Sequence, residues 1–243
     1  TLTQQCARLQ LSFMRDHHAA ILQEGARQQW TPETILARLL AGEIQLRADR
    51  ALERRLQAAR FPLAKSIADF DWTWPSKINR AQIQQLFHLD WVPQHGNVFL
   101  LGPVGVGKTH LALALGRQAC HMGFTVRWIT AIQLVNTLQA AQNAQRLAAE
   151  LKTFLKPQLL CLDELGYMPI DKTGADLLFQ VISERYERGS LCITSNKPFK
   201  QWAGIFNNDA TLASAILDRL LHHGEPVLIA GKSYRMKDRI ETE

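Results

Sequence analysis

The chain has 243 residues, 47% of them hydrophobic and 21% charged, enough for one full domain plus a smaller one and too apolar for a disordered protein. Its formal charge of +6 permits a polyanionic partner without demanding one. No apolar run approaches the length of a membrane span. The four cysteines (Cys6, Cys120, Cys161 and Cys192) form no CxxC pair, which argues against a zinc or disulfide frame.

Thr1 opens the chain without a signal-peptide pattern, so the expected setting is cytoplasmic. Residues 1 to about 60 read as helical. In WTPETILARLL, Thr31 is the expected N-cap, Pro32 the first helical residue and Glu33 part of the first turn. Ile35, Leu36, Leu39 and Leu40 follow at helical spacing. A second periodic stretch runs from Ile44 to Arg60. Ala48, Leu52, Leu56 and Ala59 share one face, Arg47, Arg50 and Arg54 lie on the other, and Pro62 stops the helix. Phe70–Lys77 (FDWTWPSK) is aromatic and aperiodic and reads as a linker that packs down.

From residue 96 the pattern changes. NVFLL is a short buried strand, 108–121 a helix, TVRWI a strand, and 131–156 two short helices. QLLCL, SLCIT and PVLIA are further strands, separated by helices over 173–188 and 211–222. Alternating strands and helices predict an α/β fold, a five-stranded parallel sheet covered on both faces. The expected division is a helical domain over 1–65, a linker over 66–95 and the α/β core over 96–243.

The stretch Gly102–His110 (GPVGVGKTH) contains G-x-x-x-x-G-K-[ST] between a predicted strand and a predicted helix. Gly102, Pro103, Val104, Gly105, Val106, Gly107, Lys108, Thr109 and His110 are therefore the expected ATP-binding loop. Glycines let the backbone wrap an anion, and its N–H groups and the helix N-terminus favour phosphate. Lys108 adds positive charge, and the Thr109 hydroxyl suits Mg²⁺. Asp163 and Glu164 follow the strand LLCL at its C-terminal end, where open α/β sheets bind ligands. Asp163 is the expected second Mg²⁺ partner and Glu164 the base that orients and deprotonates water. Asn196 lies just past SLCIT, where an amide either meets a γ-phosphate or simply turns the chain.

Together, LLGPVGVGKTHLALALG, LLCLDELGYMPID, CITSNKPFKQW and LASAILDRLLHHG resemble IstB, the AAA+ helper ATPases of insertion sequences, and also the related DnaC helicase loaders. The upstream RRLQAARFPLAKSIADFDW resembles IstB more specifically. The resemblance implies a three-layer P-loop AAA+ core with a small all-helical N-terminal domain, assembling as an ATP-linked homo-oligomer on DNA. It implies that Arg219, in the DRL motif, completes a neighbour's site in trans, and that Asn196 is the sensor asparagine. One feature departs from the wider AAA+ pattern. Only GKSYRMKDRIETE follows the last strand, so the C-terminal lid is reduced or absent, and Arg235 either contacts nucleotide or, the preferred reading, belongs to a basic tail. Phe70, Trp72 and Trp74 staple the linker or cover an adenine; Lys152 and Lys156 face DNA or solvent.

The expected partners are duplex DNA, a cognate transposase and further copies of the chain, with no membrane. The best basic feature is Arg47, Arg50, Arg54 and Arg55, in a stretch with six basic residues against two acidic ones. It suits a track of phosphates, or it is a solvated helix face. His17, His18, His222 and His223 form pairs without a carboxylate or cysteine at ligand spacing and read as surface or capping residues. The expected activity is ATP hydrolysis in a transposition helper. The alternative is a DnaC-like loader that binds single-stranded DNA. A small-molecule kinase would want an arginine-rich lid, which is not visible.

Overall fold

A computed structural model describes residues 1–236; residues 237–243, the end of the segment read as a basic tail, lie outside the described residues. The chain divides into two compact units between Arg54 and Arg55. This division falls earlier than the one expected after residue 65, so residues 55–65 belong with the second unit.

In the first unit, α1 (Leu2–Arg8) begins with a capping box in which Thr1 and Gln4 exchange side-chain-to-backbone bonds. The next helix, α2 (Ser12–Arg27), has no side-chain cap of its own. The buried Glu43 supplies one, accepting from the Phe13 and Met14 amides at 2.8 and 3.4 Å. Then α3 runs unbroken from Pro32 to Ala59, where the sequence suggested two stretches. Gly42 does not break it, because glycine there makes room for the Phe13 ring. The helix ends ahead of Pro62, with Arg60 in a left-handed conformation at φ +59°. The expected faces are only partly kept: Leu39 and Ala59 are buried, while Leu36, Leu40 and Ala48 are exposed.

The second unit holds a five-stranded, all-parallel sheet in the order β2–β3–β4–β1–β5. The strands are β1 (Asn97–Leu101), β2 (Val126–Thr130), β3 (Leu159–Leu165), β4 (Ser190–Ser195) and β5 (Gly224–Leu228). The helices are α4 (Arg80–Leu86), α5 (Lys108–His121), α6 (Ala131–Asn143), α7 (Leu147–Leu155), α8 (Lys172–Arg185) and α9 (Ala210–His222). Every residue of β1 and β4 is buried, as expected of strands covered on both faces. α4 lies inside the 66–95 linker, beyond its aperiodic stretch Phe70–Lys77; Asn79 caps it through the Gln82 amide.

One buried charge shapes the core. Arg185, 1% exposed, donates to the carbonyls of Phe154, Leu155, Pro157, Gln158 and Ser190. It thereby satisfies the carbonyl end of α7, where a cation is favourable. Burial pulls its pKa down to about 10.

Candidate active site

β1 lies between β4 and β5, and the chain leaves its C-terminal end directly into the glycine-rich loop. Gly105 and Gly107 take left-handed backbone conformations, with φ of +80° and +96°. A Cβ at Gly105 would overlap the Ser233 hydroxyl, and one at Gly107 would lie 2.6 Å from the Phe70 ring. Only glycine fits both demands. Gly107 is also the N-cap of α5, and no side chain caps this helix. The N–H groups of its first turn therefore remain for an anion.

Lys108 is 3% exposed, and its Nζ donates to the Pro103 carbonyl at 2.6 Å. Burial lowers its pKa to about 8; the charge of Arg235 adds to this, and Asp163 and Glu164 oppose it. A phosphate in the loop supplies the anion such an ammonium lacks. Thr109 Oγ1 donates to Asp163 Oδ1 at 3.1 Å, so the two expected Mg²⁺ partners already meet. Burial raises the Asp163 pKa against hydrogen bonds from Thr194 and Thr109.

The Asp163–Glu164 pair sits on an irregularity. Leu162 pairs with Ile193 and Leu165 with Ser195, so β3 carries one residue more than β4 across this step. Glu164 absorbs the extra residue with φ of +61°, uncommon for a non-glycine residue. Its amide donates to Thr194 Oγ1 at 2.9 Å and its side chain is exposed. Thr194 Oγ1 in turn donates to Asp163 Oδ1 at 2.5 Å. Sequence reasoning missed Thr194; the only signal was its position two residues before Asn196 at the end of SLCIT. Asn196 is half-buried, and its Oδ1 is buried without a partner among the described residues.

A cleft of about 320 Å³ opens beside the loop, lined in part by Phe70, Trp74, Lys108, Glu164, Tyr234 and Arg235. Arg235 therefore faces the cleft, which corrects its reading as tail. Its segment is tied down on two sides: the Tyr234 amide donates to the Gly105 carbonyl at 2.8 Å, and Trp74 Nε1 donates to the Lys232 carbonyl at 2.9 Å. Trp74 and Tyr234 meet edge to face at 5.8 Å. His110 also lines the cleft, with Nε2 at 2.8 Å from the Ser66 carbonyl and its ring edge-on to Phe70.

Arg219 is elsewhere. Asn97, the first residue of β1, donates its side-chain amide to the Leu220 carbonyl and its backbone N–H to the His223 carbonyl. The end of α9 therefore stands at the N-terminal edge of the sheet, a strand length, roughly 13 Å, from the loop edge. Arg219 is half-buried there, with Nη1 at 2.9 Å from the Ala215 carbonyl and its guanidinium over Phe179 at 5.0 Å.

The four arginines expected to contact DNA separate. Arg47, Arg50 and Arg54, joined by Arg15, line a hollow of about 690 Å³ in the first unit. Arg47 pairs with Glu43 at 3.2 Å, and Arg50 donates to Ser12 Oγ at 3.1 Å. Arg55 leaves this set, because its Nε donates to the Cys120 carbonyl near the C-terminus of α5 at 2.9 Å. His17 and His18 lie within hydrogen-bond distance of carbonyls one turn back in α2, those of Phe13 and Met14. Among the described residues, no helix is long and apolar enough to cross a membrane.

The family model described as IstB-like ATP binding protein matches residues 4–242. The chain is similar to the insertion sequence IS21 ATP-binding protein of Pseudomonas aeruginosa, with 39% identity over 96% of this chain and 88% of the relative. It is 37% identical to the IS5376 ATP-binding protein of Geobacillus stearothermophilus, over 96% of this chain and 93% of the relative. Among solved structures it is similar to DnaI (TM-score 0.59, 21% identity, 72% of this chain and 93% of that one). The DnaC helicase loader gives a TM-score of 0.52 at 22% identity, covering 61% of this chain and 86% of that one. These likenesses show the fold, a P-loop AAA+ α/β core.

Proposed function

Because the chain belongs to the IstB-like ATP binding protein family, we propose that it is an ATP-hydrolysing transposition helper that assembles on duplex DNA and presents it to a cognate transposase. Hydrolysis then dismantles or remodels the assembly. The observation that carries this reading is the separation of the site's parts. The phosphate loop, Asp163 and Glu164 stand at one edge of the sheet, and Arg219 stands by α9 at the other. Arg219 does not reach its own cleft from there, which supports a role across an interface in a neighbouring copy's site.

The residues fit Mg·ATP. The Gly105–Gly107 backbone and the open N-terminus of α5 bind the phosphates. Lys108 leaves the Pro103 carbonyl for a phosphate oxygen. Thr109 and Asp163 would hold Mg²⁺, which would supply positive charge against the phosphates. Glu164 accepts a proton from the attacking water, and Asn196 orients that water. The bond from the γ-phosphorus to the bridging oxygen breaks, and ADP leaves with the electron pair. A neighbour's Arg219 steadies the charge that develops on the γ-phosphoryl. In the first unit, Arg47, Arg50 and Arg54 track DNA phosphates; they read no bases, so binding is salt-sensitive and largely independent of sequence.

Sedimentation with Mg·ATP and duplex DNA, single-stranded DNA or no DNA, at low and moderate salt, tests the reading. Large ATP-dependent complexes on duplex are the expected result. A clear preference for single strands replaces it with the helicase-loader reading, and no assembly in any condition removes the trans-acting Arg219.

A further inference from the structure

In sequence, the carboxylates nearest His222 and His223 are Asp218 and Glu225. The one the fold groups with them is Glu187. Glu187, in the turn after α8, comes back against the end of α9, and Glu187, His222 and His223 each offer a donor atom within 4.8 Å of the others. His223 Nε2 lies 4.0 Å from Glu187 Oε1, and the two imidazole centroids are 4.1 Å apart. Tyr186 Oη is 2.8 Å from His222 Nδ1, a contact of the kind that fixes the orientation of a ligating imidazole.

We propose that Glu187, His222 and His223 form a binding site for a divalent transition-metal ion of the zinc class. Two imidazoles and one carboxylate are the donor set such ions take, with water in the remaining position. Zinc ligands at about 2.1 Å from the metal stand about 3.4 Å from one another in a tetrahedron. The donors must therefore close by roughly an ångström, which side-chain rotation achieves because all three residues are exposed. The bound ion ties the last turn of α9 to the turn after α8. Arg219 sits one turn earlier on that helix, so the site stiffens the element that carries it.

The test needs no nucleotide, and its outcome is independent of the ATPase reading. The full chain, free of any affinity tag, is titrated with CoCl₂ in the absence of Mg²⁺ and followed by visible absorption, then back-titrated with ZnCl₂. The expected result is one Co²⁺ per chain, with d–d bands, no sulfur charge-transfer band, and displacement by Zn²⁺. Glu187→Gln and His223→Gln should each weaken binding by at least about tenfold, the loss that even an outer-shell partner causes. Both variants should keep the wild-type thermal transition, since both positions are exposed. Unchanged affinity in either variant overturns the proposal. So does a sulfur band, which would put the ion on the cysteines, or a dissociation constant in the millimolar range of an isolated surface histidine.

Discussion

The Thr194 hydroxyl stands 2.5 Å from Asp163 Oδ1 and 2.9 Å from the Glu164 amide nitrogen. One side chain on β4 thus holds both members of the acidic pair on β3. It donates to the carboxylate that faces Thr109 and accepts from the backbone N–H of the residue with positive φ. Thr194→Val keeps the shape and removes both bonds. The expected result is a stability loss of about 1–3 kcal/mol, from the buried groups left unpaired. Turnover should fall by about 10- to 100-fold, as for other supporting partners of a ligating group. Thr194→Ser should recover most of both. Denaturant melts alongside steady-state ATPase rates check this, and wild-type turnover in Thr194→Val would refute the role.

Glu164 is exposed into the cleft, while Asp163 is buried against Thr109 and Thr194. The two carboxylates therefore have different work. Glu164→Gln should leave ATP binding near the wild-type level and cut turnover by about 10²- to 10⁴-fold, the usual worth of a positioned base. Asp163→Asn should instead weaken the Mg²⁺ dependence of binding. Titration with a fluorescent ATP analogue, with and without Mg²⁺, separates the two. Equal effects of both substitutions on binding would refute this division.

Much of this was legible in the sequence because the signals are local. NVFLL and LLCL are buried runs, and the loop glycines meet conformational demands set within a few residues. What was not legible depends on register or on long-range return of the chain. β5 begins at Gly224, ahead of the PVLIA run, because ladder pairing to β1 carries Gly224 and Glu225 into the strand. As an edge strand it tolerates the proline. Thr194 is a site residue only because β3 and β4 pair with an extra residue at Glu164. Arg55 sits among basic residues in sequence, yet its direction on α3 sends it to Cys120. Glu187 and His223 are separated by all of β4 and α9.

The Lys108 pKa of about 8 gives ATP binding a proton signature. Burial is the main cause, and bound phosphate offsets it, restoring the charged form. Above pH 8 the free protein has lost this proton and the complex keeps it, so binding takes up close to one proton. Affinity should fall by up to about tenfold per pH unit above 8. Without nucleotide, an unfolded lysine titrates near its ordinary 10.5 and binds more protons than the folded one between 8 and 10.5. Over that window this group makes stability rise with pH. Calorimetric titration of Mg·ATP at pH 9, in buffers of different ionisation enthalpy, measures the uptake. A slope of zero would contradict the depressed pKa.

If Arg219 acts across an interface, complementation follows. Arg219→Ala and Glu164→Gln proteins should each bind ATP, and each should turn over slowly, Arg219→Ala by on the order of 10³-fold less than wild type. Mixed on duplex DNA, they create some interfaces in which an intact Glu164 site meets an intact Arg219. The mixture should then exceed either variant alone by a large factor. No recovery at any ratio would mean that Arg219 only supports α9 through Phe179.

Arg54 and Arg55 are neighbours in sequence and should behave differently toward DNA. Arg54 is exposed and lines the hollow shared with Arg15, Arg47 and Arg50. Arg55 is half-buried, with its Nε committed to the Cys120 carbonyl. Each phosphate contact adds about 0.9 to the slope of log affinity against log salt. Arg54→Gln should therefore flatten that slope by about 0.9 and weaken binding to unrelated duplexes equally. Arg55→Gln should leave the slope unchanged and lower folding stability by about 1 kcal/mol through the lost bond. Affinities by fluorescence anisotropy from low to moderate salt distinguish them. A flatter slope in Arg55→Gln with no change in Arg54→Gln would move the phosphate track off the hollow and onto the surface near Cys120.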